Sequence, residues 1–428
     1  MKKSYPFLII SSAIILLTGC GASSQLYSQL DLTPTGPVIK GQVTLQGQSS
    51  YSNVKVEILD TAYKAATDST GNFSLYNVPA GTYKIAFSKS NYVSKVSTVT
   101  LGNSNVEAYN KLSPKTQDIS LSSISGRYNG FFAVDETLSF SNRIQTFQTL
   151  SGKSSALIGI FVSFMQNSQQ NLPASYLSQF QSIISNGSVP FLTWEPWDTG
   201  RPVINILSDI LSGQYNTYLD SWASTIKDLN SPVIIRLGHE MNGNWYPWSD
   251  DATLYKQAFR YVVDRFRSQN VNNVSWMFAP NHNDGGTGRD YKNYFPGAAY
   301  VDCLGISGYN FGYSVQFNTV WRSFSTVFKT TCQELNSTYG LPIILDIGCA
   351  EGGNDSRGRN KKALWIEDMM TQLSTDSDYQ NIKGFCWFQT NKINEADWRI
   401  NSSVSSLSSF QSAIQASQFL GTPVTMSF

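Results

Sequence analysis

Histidine is scarce: the 428 residues hold two, His239 and His282. A His-rich metal centre is therefore excluded, and no Cys-x-x-Cys or Cys/His spacing suited to zinc occurs. A surplus of either charge is also lacking, with 31 basic side chains against 30 acidic. Phosphate binding needs a net basic face, so nothing points to nucleic acid as a partner. Cysteine is sparse, at five. Cys349 and Cys386 lie in or just after strand-like runs, where cysteine serves as a small apolar residue. Export would permit disulfides among Cys303, Cys332, Cys349 and Cys386, with the pairing left open. The N-terminal apolar run, Pro6 to Leu17, is too short to span a bilayer comfortably. What the chain does have is aromatic side chains, 13% of it, including ten Trp and 22 Tyr. Sugar rings present flat C–H faces that pack on aromatic planes, although aromatics also fill ordinary cores.

Lys2 and Lys3 precede the apolar run, and Leu17-Thr18-Gly19-Cys20 closes it, as in a secretory signal. That ending resembles a bacterial lipobox, which implies cleavage after residue 19 and acylation of Cys20. An ordinary signal peptide or a membrane helix is the alternative. Acyl chains contribute roughly 0.8 kcal/mol per buried CH2, enough in number to anchor the protein to a membrane of the cell envelope. Residues 20–35 are rich in Ser, Gln, Thr and Pro and read as a linker.

From residue 36 to about 113 the pattern is short alternating strands with turn signals between them. Ile39 to Leu45 and Val54 to Ile58 are two of these. Asp68-Ser69-Thr70-Gly71 followed by an aromatic strand, and Val78-Pro79-Ala80-Gly81-Thr82-Tyr83, resemble the carboxypeptidase regulatory-like β-sandwich. No catalytic cluster falls inside it, so it reads as a spacer or accessory module.

Over residues 125–415, strand-like and helix-like stretches alternate, the signature of a parallel sheet with helical crossovers. Eight strands are expected, at 128–134, 156–164, 189–194, 233–240, 274–280, 303–309, 342–348 and 384–388. Eight such units predict a (β/α)8 TIM barrel, α/β in class. A doubly wound open sheet should carry a Gly-rich phosphate loop after its first strand, and none is present. Strand side chains alternate between faces. Val233, Ile235 and Leu237 then point to the helices, and Arg236, Gly238 and Glu240 to the lumen. On the seventh strand the same parity turns Ile344, Asp346 and Gly348 inward. Barrel active sites sit at the C-terminal ends of the strands, where Glu240 and Asp346 fall.

The densest motif is Arg236-Leu237-Gly238-His239-Glu240-Met241-Asn242-Gly243-Asn244-Trp245-Tyr246-Pro247-Trp248. A carboxyl at a strand tip among aromatics is kept protonated by desolvation until it donates to a leaving oxygen. A buried ion pair with Arg236 is the purely structural alternative. The block resembles the acid/base motif of glycoside hydrolase family 26, a family of β-mannanases and some β-glucanases. Trp194-Glu195-Pro196-Trp197, Ser307-Gly308-Tyr309-Asn310, Trp387-Phe388 and Asp397-Trp398-Arg399 extend the resemblance across the barrel. It implies a retaining mechanism with no cofactor. Glu240 would be the acid/base, a strand-seven carboxylate the nucleophile, and Tyr309 a hydrogen-bond donor to that nucleophile. His239 would line the substrate cleft.

Strand seven departs from the family pattern, which has Glu where this chain has Asp. Placing Glu351-Gly352-Gly353 on its family counterpart puts Asp346 at the nucleophile position. A retaining pair holds its carboxyls about 5–5.5 Å apart and an inverting pair about 6.5–9.5 Å. Asp is shorter than Glu by about one C–C bond, ~1.5 Å. Asp346 could thus be a working nucleophile on a shifted backbone, the base of an inverting enzyme, or a remnant in a site that binds glycan without cleaving it. Glu351 is a further candidate nucleophile, with a rim role as its alternative.

Arg236, facing inward, would stabilise an ionised carboxylate. Trp387 suits a sugar platform at the cleavage subsite, and Trp194, Trp197, Trp245 and Trp398 further subsites, with packing the alternative for each. The expectation is an exported, lipid-anchored, endo-acting β-glycosidase acting on a polysaccharide of mannan or β-glucan type. The rival is a carbohydrate-binding lipoprotein with a degenerate site.

Overall fold

The computed structural model describes residues 36–201, 205–313 and 319–427. The expected signal peptide, Cys20 and linker lie outside those residues. Among the described residues no helix is long and apolar enough to cross a membrane.

The N-terminal unit is an all-β sandwich. Its three-stranded sheet joins Asn72–Leu75, Ile39–Leu45 and Val106–Leu112, and its four-stranded sheet joins Lys64–Ala66, Lys55–Ile58, Gly81–Ser88 and Lys95–Leu101. Ile39, Val43, Val56, Ile58, Phe73, Ile85 and Phe87 alternate inward to make a common core. The Asp-x-x-Gly turn is built as its composition suggests. Asp68 Oδ1 accepts from the amides of Thr70 and Asn72, both at 2.9 Å. Gly71 takes φ 87°, a conformation side chains disfavour.

The second unit is a closed barrel of eight parallel strands. They are β1 (Arg127–Phe132), β2 (Leu157–Gln166), β3 (Val189–Asp198), β4 (Val233–Leu237), β5 (Val274–Phe278), β6 (Cys303–Asn310), β7 (Ile343–Cys349) and β8 (Ile382–Phe388). Each pairs with the next, and β8 pairs with β1 through Gly384↔Tyr128 to Phe388↔Phe132, which closes the cylinder. All eight expected strands are present. The chain also continues past residue 415: Phe419–Leu420 pairs with β1, and Thr425–Ser427 pairs with Gln117–Ile119.

Two apolar layers result from strand alternation. Tyr128, Phe132, Leu157, Phe191, Ile234, Met277, Cys303, Ile344 and Cys386 fill the lumen. Val233, Ile235, Leu237, Leu304, Ile306, Leu345 and Ile347 pack outward on the helices. The helix Ala252–Ser268 shows why such segments sit there. Tyr255, Ala258, Phe259, Val262, Val263 and Phe266 recur at three- and four-residue spacing and are buried, and Asp251 caps the first turn by accepting from the Thr253 and Leu254 amides. Cys303, Cys332, Cys349 and Cys386 are all buried free thiols.

The sandwich is docked on the barrel. Asp60 accepts from Arg260 Nη1 at 2.7 Å and Nη2 at 2.9 Å, and Leu59 and Ala86 join the barrel's outer core. Between the units, Lys115 Nζ lies 2.9 Å from Asp302 and 3.3 Å from Asp118, whose Oδ1 accepts from Ser275 Oγ. Ser275 is the second residue of β5 and Asp302 precedes β6, so this contact is at the strands' N-terminal end, away from the catalytic candidates.

Candidate active site

Arg236 and Asp346 form the floor of the site. Both are inward-facing on their strands, as alternation predicts, and Arg236 Nη1 donates to Asp346 Oδ2 at 2.6 Å with side-chain exposures of 1% and 3%. Arg236 Nε donates to Thr193 Oγ1 at 3.0 Å, and the guanidinium lies over the rings of Phe132, Phe161 and Phe191. A planar cation can stack on aromatic faces while donating along its edge, so arginine suits this position better than lysine. Tyr309 Oη donates to Asp346 Oδ1 at 2.5 Å. Burial, followed by the negative field of Asp346 and Glu240, holds the Tyr309 phenol well above its ordinary range, which keeps it a donor.

Glu240 reaches the lumen by a different local route from the one alternation implies. β4 ends at Leu237, and the chain then turns through Gly238 at φ 56° and Glu240 at φ 55°. Positive φ at a glutamate is a strained conformation of the kind that collects at functional sites. It is fixed by the Glu240 amide donating to Ala279 O at 2.8 Å and by Glu240 O accepting from the Gly243 amide at 3.1 Å. Trp245 Nε1 donates to Glu240 Oε2 at 2.6 Å. Burial first, and then the charge of Asp346, push the Glu240 carboxyl up, against the opposing pull of Arg236 and hydrogen bonds from Ser307 and Trp245. Ser307, on β6, therefore serves both carboxyls: its Oγ also lies 3.5 Å from Asp346 Oδ2.

A third carboxyl, Glu195, shares the lumen, although its motif alone suggested no role for it. It lies two residues beyond Thr193 on β3, on the same inward face, and accepts from Trp197 Nε1 at 3.1 Å. Burial, partly offset by that hydrogen bond and by Arg236, pushes it up to about 7. One guanidinium thus faces three carboxyls, and the two not bonded to it are the two driven toward the protonated form. Strand parity is the signal that would have found Glu195.

The other expected site residues divide. Trp245 stands at the mouth, 41% exposed. Trp387 and Trp194 do not line the cleft. Trp387 shares the outward parity of its partner Ile347, is fully buried, and donates to Trp398 O at 2.7 Å. Trp194 likewise packs outward on Phe164 and Trp222 and donates to Tyr218 Oη at 3.2 Å. Phe388, one residue on, is the aromatic that β8 turns inward, beside Tyr309 and Phe161. Trp398 is fully buried against Tyr309 and Phe311. His239 is buried behind the mouth, where its Nε2 lies 3.1 Å from Tyr246 Oη and Trp248 Nε1 donates to its carbonyl. Burial and Arg236 push it well below the usual imidazole range, so it is neutral. It braces Tyr246, and its ring also meets the inward-facing Phe161 edge-on, with centroids 6.0 Å apart. Arg236 similarly serves Asp346 beneath the cleft. Glu351 is turned away, accepting from Ser402 Oγ at 2.6 Å and Asn360 Nδ2 at 2.9 Å, and so is not poised as a nucleophile. Among the described residues no cluster of His, Cys, Asp and Glu is arranged to hold a metal.

Comparison with known proteins places the barrel in context. Residues 180–338 match the model of Glycosyl hydrolase family 26, and residues 39–123 match that of the CarboxypepD_reg-like domain. Endoglucanase H of Acetivibrio thermocellus is 33% identical over 281 residues, 64% of this chain and 29% of that protein. A mannan endo-1,4-beta-mannosidase of Bacillus subtilis is 24% identical over 221 residues, 44% of this chain and 58% of that protein. The chain therefore spans less than two thirds of either relative. Among solved structures, the catalytic domain of the Bacillus sp. JAMB-750 GH26 endo-beta-1,4-mannanase is similar in fold, with a TM-score of 0.54 at 20% identity over 70% of this chain and 89% of that one.

Proposed function

We propose that the chain is a glycoside hydrolase that cleaves β-linked polysaccharide of glucan or mannan type, internally and with retention of configuration. The observation that carries this is the convergence on one lumen of Glu240, driven toward its protonated form, and Asp346, hydrogen-bonded by Arg236 and Tyr309. Asp346 attacks the anomeric carbon as Glu240 gives its proton to the departing glycosidic oxygen, leaving a glycosyl ester on Asp346. Glu240, now ionised, takes a proton from water. That water attacks the same carbon and frees Asp346. Tyr309 and Arg236 hold the Asp346 oxygens through both steps.

The test is release of reducing ends from a panel of β-glucans, mixed-linkage glucans and mannans. Wild type should release them and Glu240→Ala should not. Equal release by both across the panel contradicts the proposal and leaves a sugar-binding protein. We also propose export and acylation at Cys20, which tethers the enzyme at the cell envelope. Palmitate labelling that persists in Cys20→Ser would contradict that.

A further inference from the structure

We infer that Glu195 is a sugar-contacting residue: its carboxyl takes hydrogen bonds from hydroxyls of the pyranose beside the scissile bond and so helps set which glycan is accepted. The inference deepens the hydrolase proposed above and rests on it. Thr193 and Glu195 succeed each other on the inner face of β3. Thr193 binds Arg236 at the floor, which places Glu195 one layer higher, toward the mouth. The adjoining strand pairs Leu237 with Trp194, and the Gly238 amide donates to Trp194 O, so the turn carrying Glu240 begins at the level of Glu195.

Its bonding separates it from a structural acid. Asp346 has a guanidinium and a phenol. Among the described residues Glu195 has no ion-pair partner and one neutral donor, Trp197 Nε1 on Oε2. Oε1 takes no hydrogen bond among the described residues, and it keeps access to the cleft although the residue as a whole is only 8% exposed. An acid this desolvated, with one neutral donor behind it and its other oxygen open to the cleft, is placed to receive donors from a ligand. Hydroxyl donors from a bound sugar would complete its bonding, since a carboxyl oxygen accepts whether or not the group carries its proton. Trp197 fixes the carboxyl from behind and stands edge-on to Tyr246 at 5.3 Å, which ties Glu195 to the braced wall that includes His239. These contacts hold the wall in place without sugar, and a preorganised wall favours selection between hydroxyl arrangements.

The test is calorimetric binding of cellotetraose, mannotetraose and a mixed-linkage glucan tetrasaccharide to the full chain carrying Glu240→Gln, with and without a change at Glu195. Adding Glu195→Ala should weaken the preferred ligand at least tenfold. Adding Glu195→Gln, which keeps one acceptor and the Trp197 contact, should weaken it less, with a melting temperature no lower than the parent's. Affinities within twofold of the parent for both variants overturn the inference, as does failure of the parent to bind any of the three. Wild-type turnover on the corresponding polysaccharides is measured alongside. Absent turnover with Glu195-dependent binding sinks the hydrolase and spares the contact, and normal turnover with unchanged binding does the reverse.

Discussion

Arg236 and Asp346 come from strands 110 residues apart and meet at 2.6 Å inside the barrel. Each is nearly inaccessible, so each leaves a buried charge if the other is removed. Breaking such a pair costs about 3–5 kcal/mol. Arg236→Met is expected to lower stability by an amount in that range, measured by urea denaturation, and to abolish turnover. Arg236→Lys should rescue neither fully, because an ammonium cannot span Thr193, Asp346 and three phenyl faces at once.

Tyr309→Phe removes one donor to a carboxylate and little else. A hydrogen bond to a charged group contributes about 1.5–3 kcal/mol, so kcat should fall roughly 10- to 100-fold. The Michaelis constant should change little, and the melting temperature should fall by a few degrees, because the same bond supports a buried carboxyl in the folded state. A rise in KM at constant kcat would place the phenol in substrate binding instead.

The raised carboxyls also fix a pH dependence. Glu240 must be protonated to act as acid, and burial with the Asp346 charge moves its titration above the ordinary carboxyl range, so the alkaline limb of kcat/KM should be displaced upward. Stability shows the same sign. Glu195 titrates near 7 when folded, from an ordinary 4.5, so between those values the native state holds a proton the unfolded chain has lost. Stability falls as pH rises through that window. Glu195→Gln should therefore melt progressively higher than wild type from pH 5 to pH 8, and a constant difference would contradict the shift.

Trp245→Ala should raise KM and disturb the alkaline limb, because the indole is exposed at the mouth and donates to Glu240. Trp387→Phe should instead lower the melting temperature and leave KM unchanged, because its ring lies in the helix layer. Oligosaccharide affinity that falls for Trp387→Phe would return that ring to the cleft.

The contrast between these tryptophans shows what was legible in the sequence. Period-two alternation correctly turned Arg236 and Asp346 inward, because a strand has no other way to dispose its side chains. Applied to β8, the same rule puts Trp387 outward and Phe388 inward, but the motif's prominence obscured it. Glu195 was likewise within reach of parity on β3. The left-handed turn that delivers Glu240 was not, because positive φ at a glutamate is imposed by the Ala279 and Gly243 contacts and has no local signature. Nor did composition reveal that Asp60, Glu57 and Lys115 lock the sandwich to the barrel, since those partners are distant in the chain.

The most direct test is to trap the glycosyl ester with a 2-deoxy-2-fluoro glycoside matched to the preferred glycan and to locate it by peptide mass spectrometry. A single sugar on Asp346, lost in Asp346→Asn, is the predicted result. Label on Glu195 or Glu351, or an active enzyme that accumulates none and releases product of inverted anomeric configuration, would contradict Asp346 as the nucleophile.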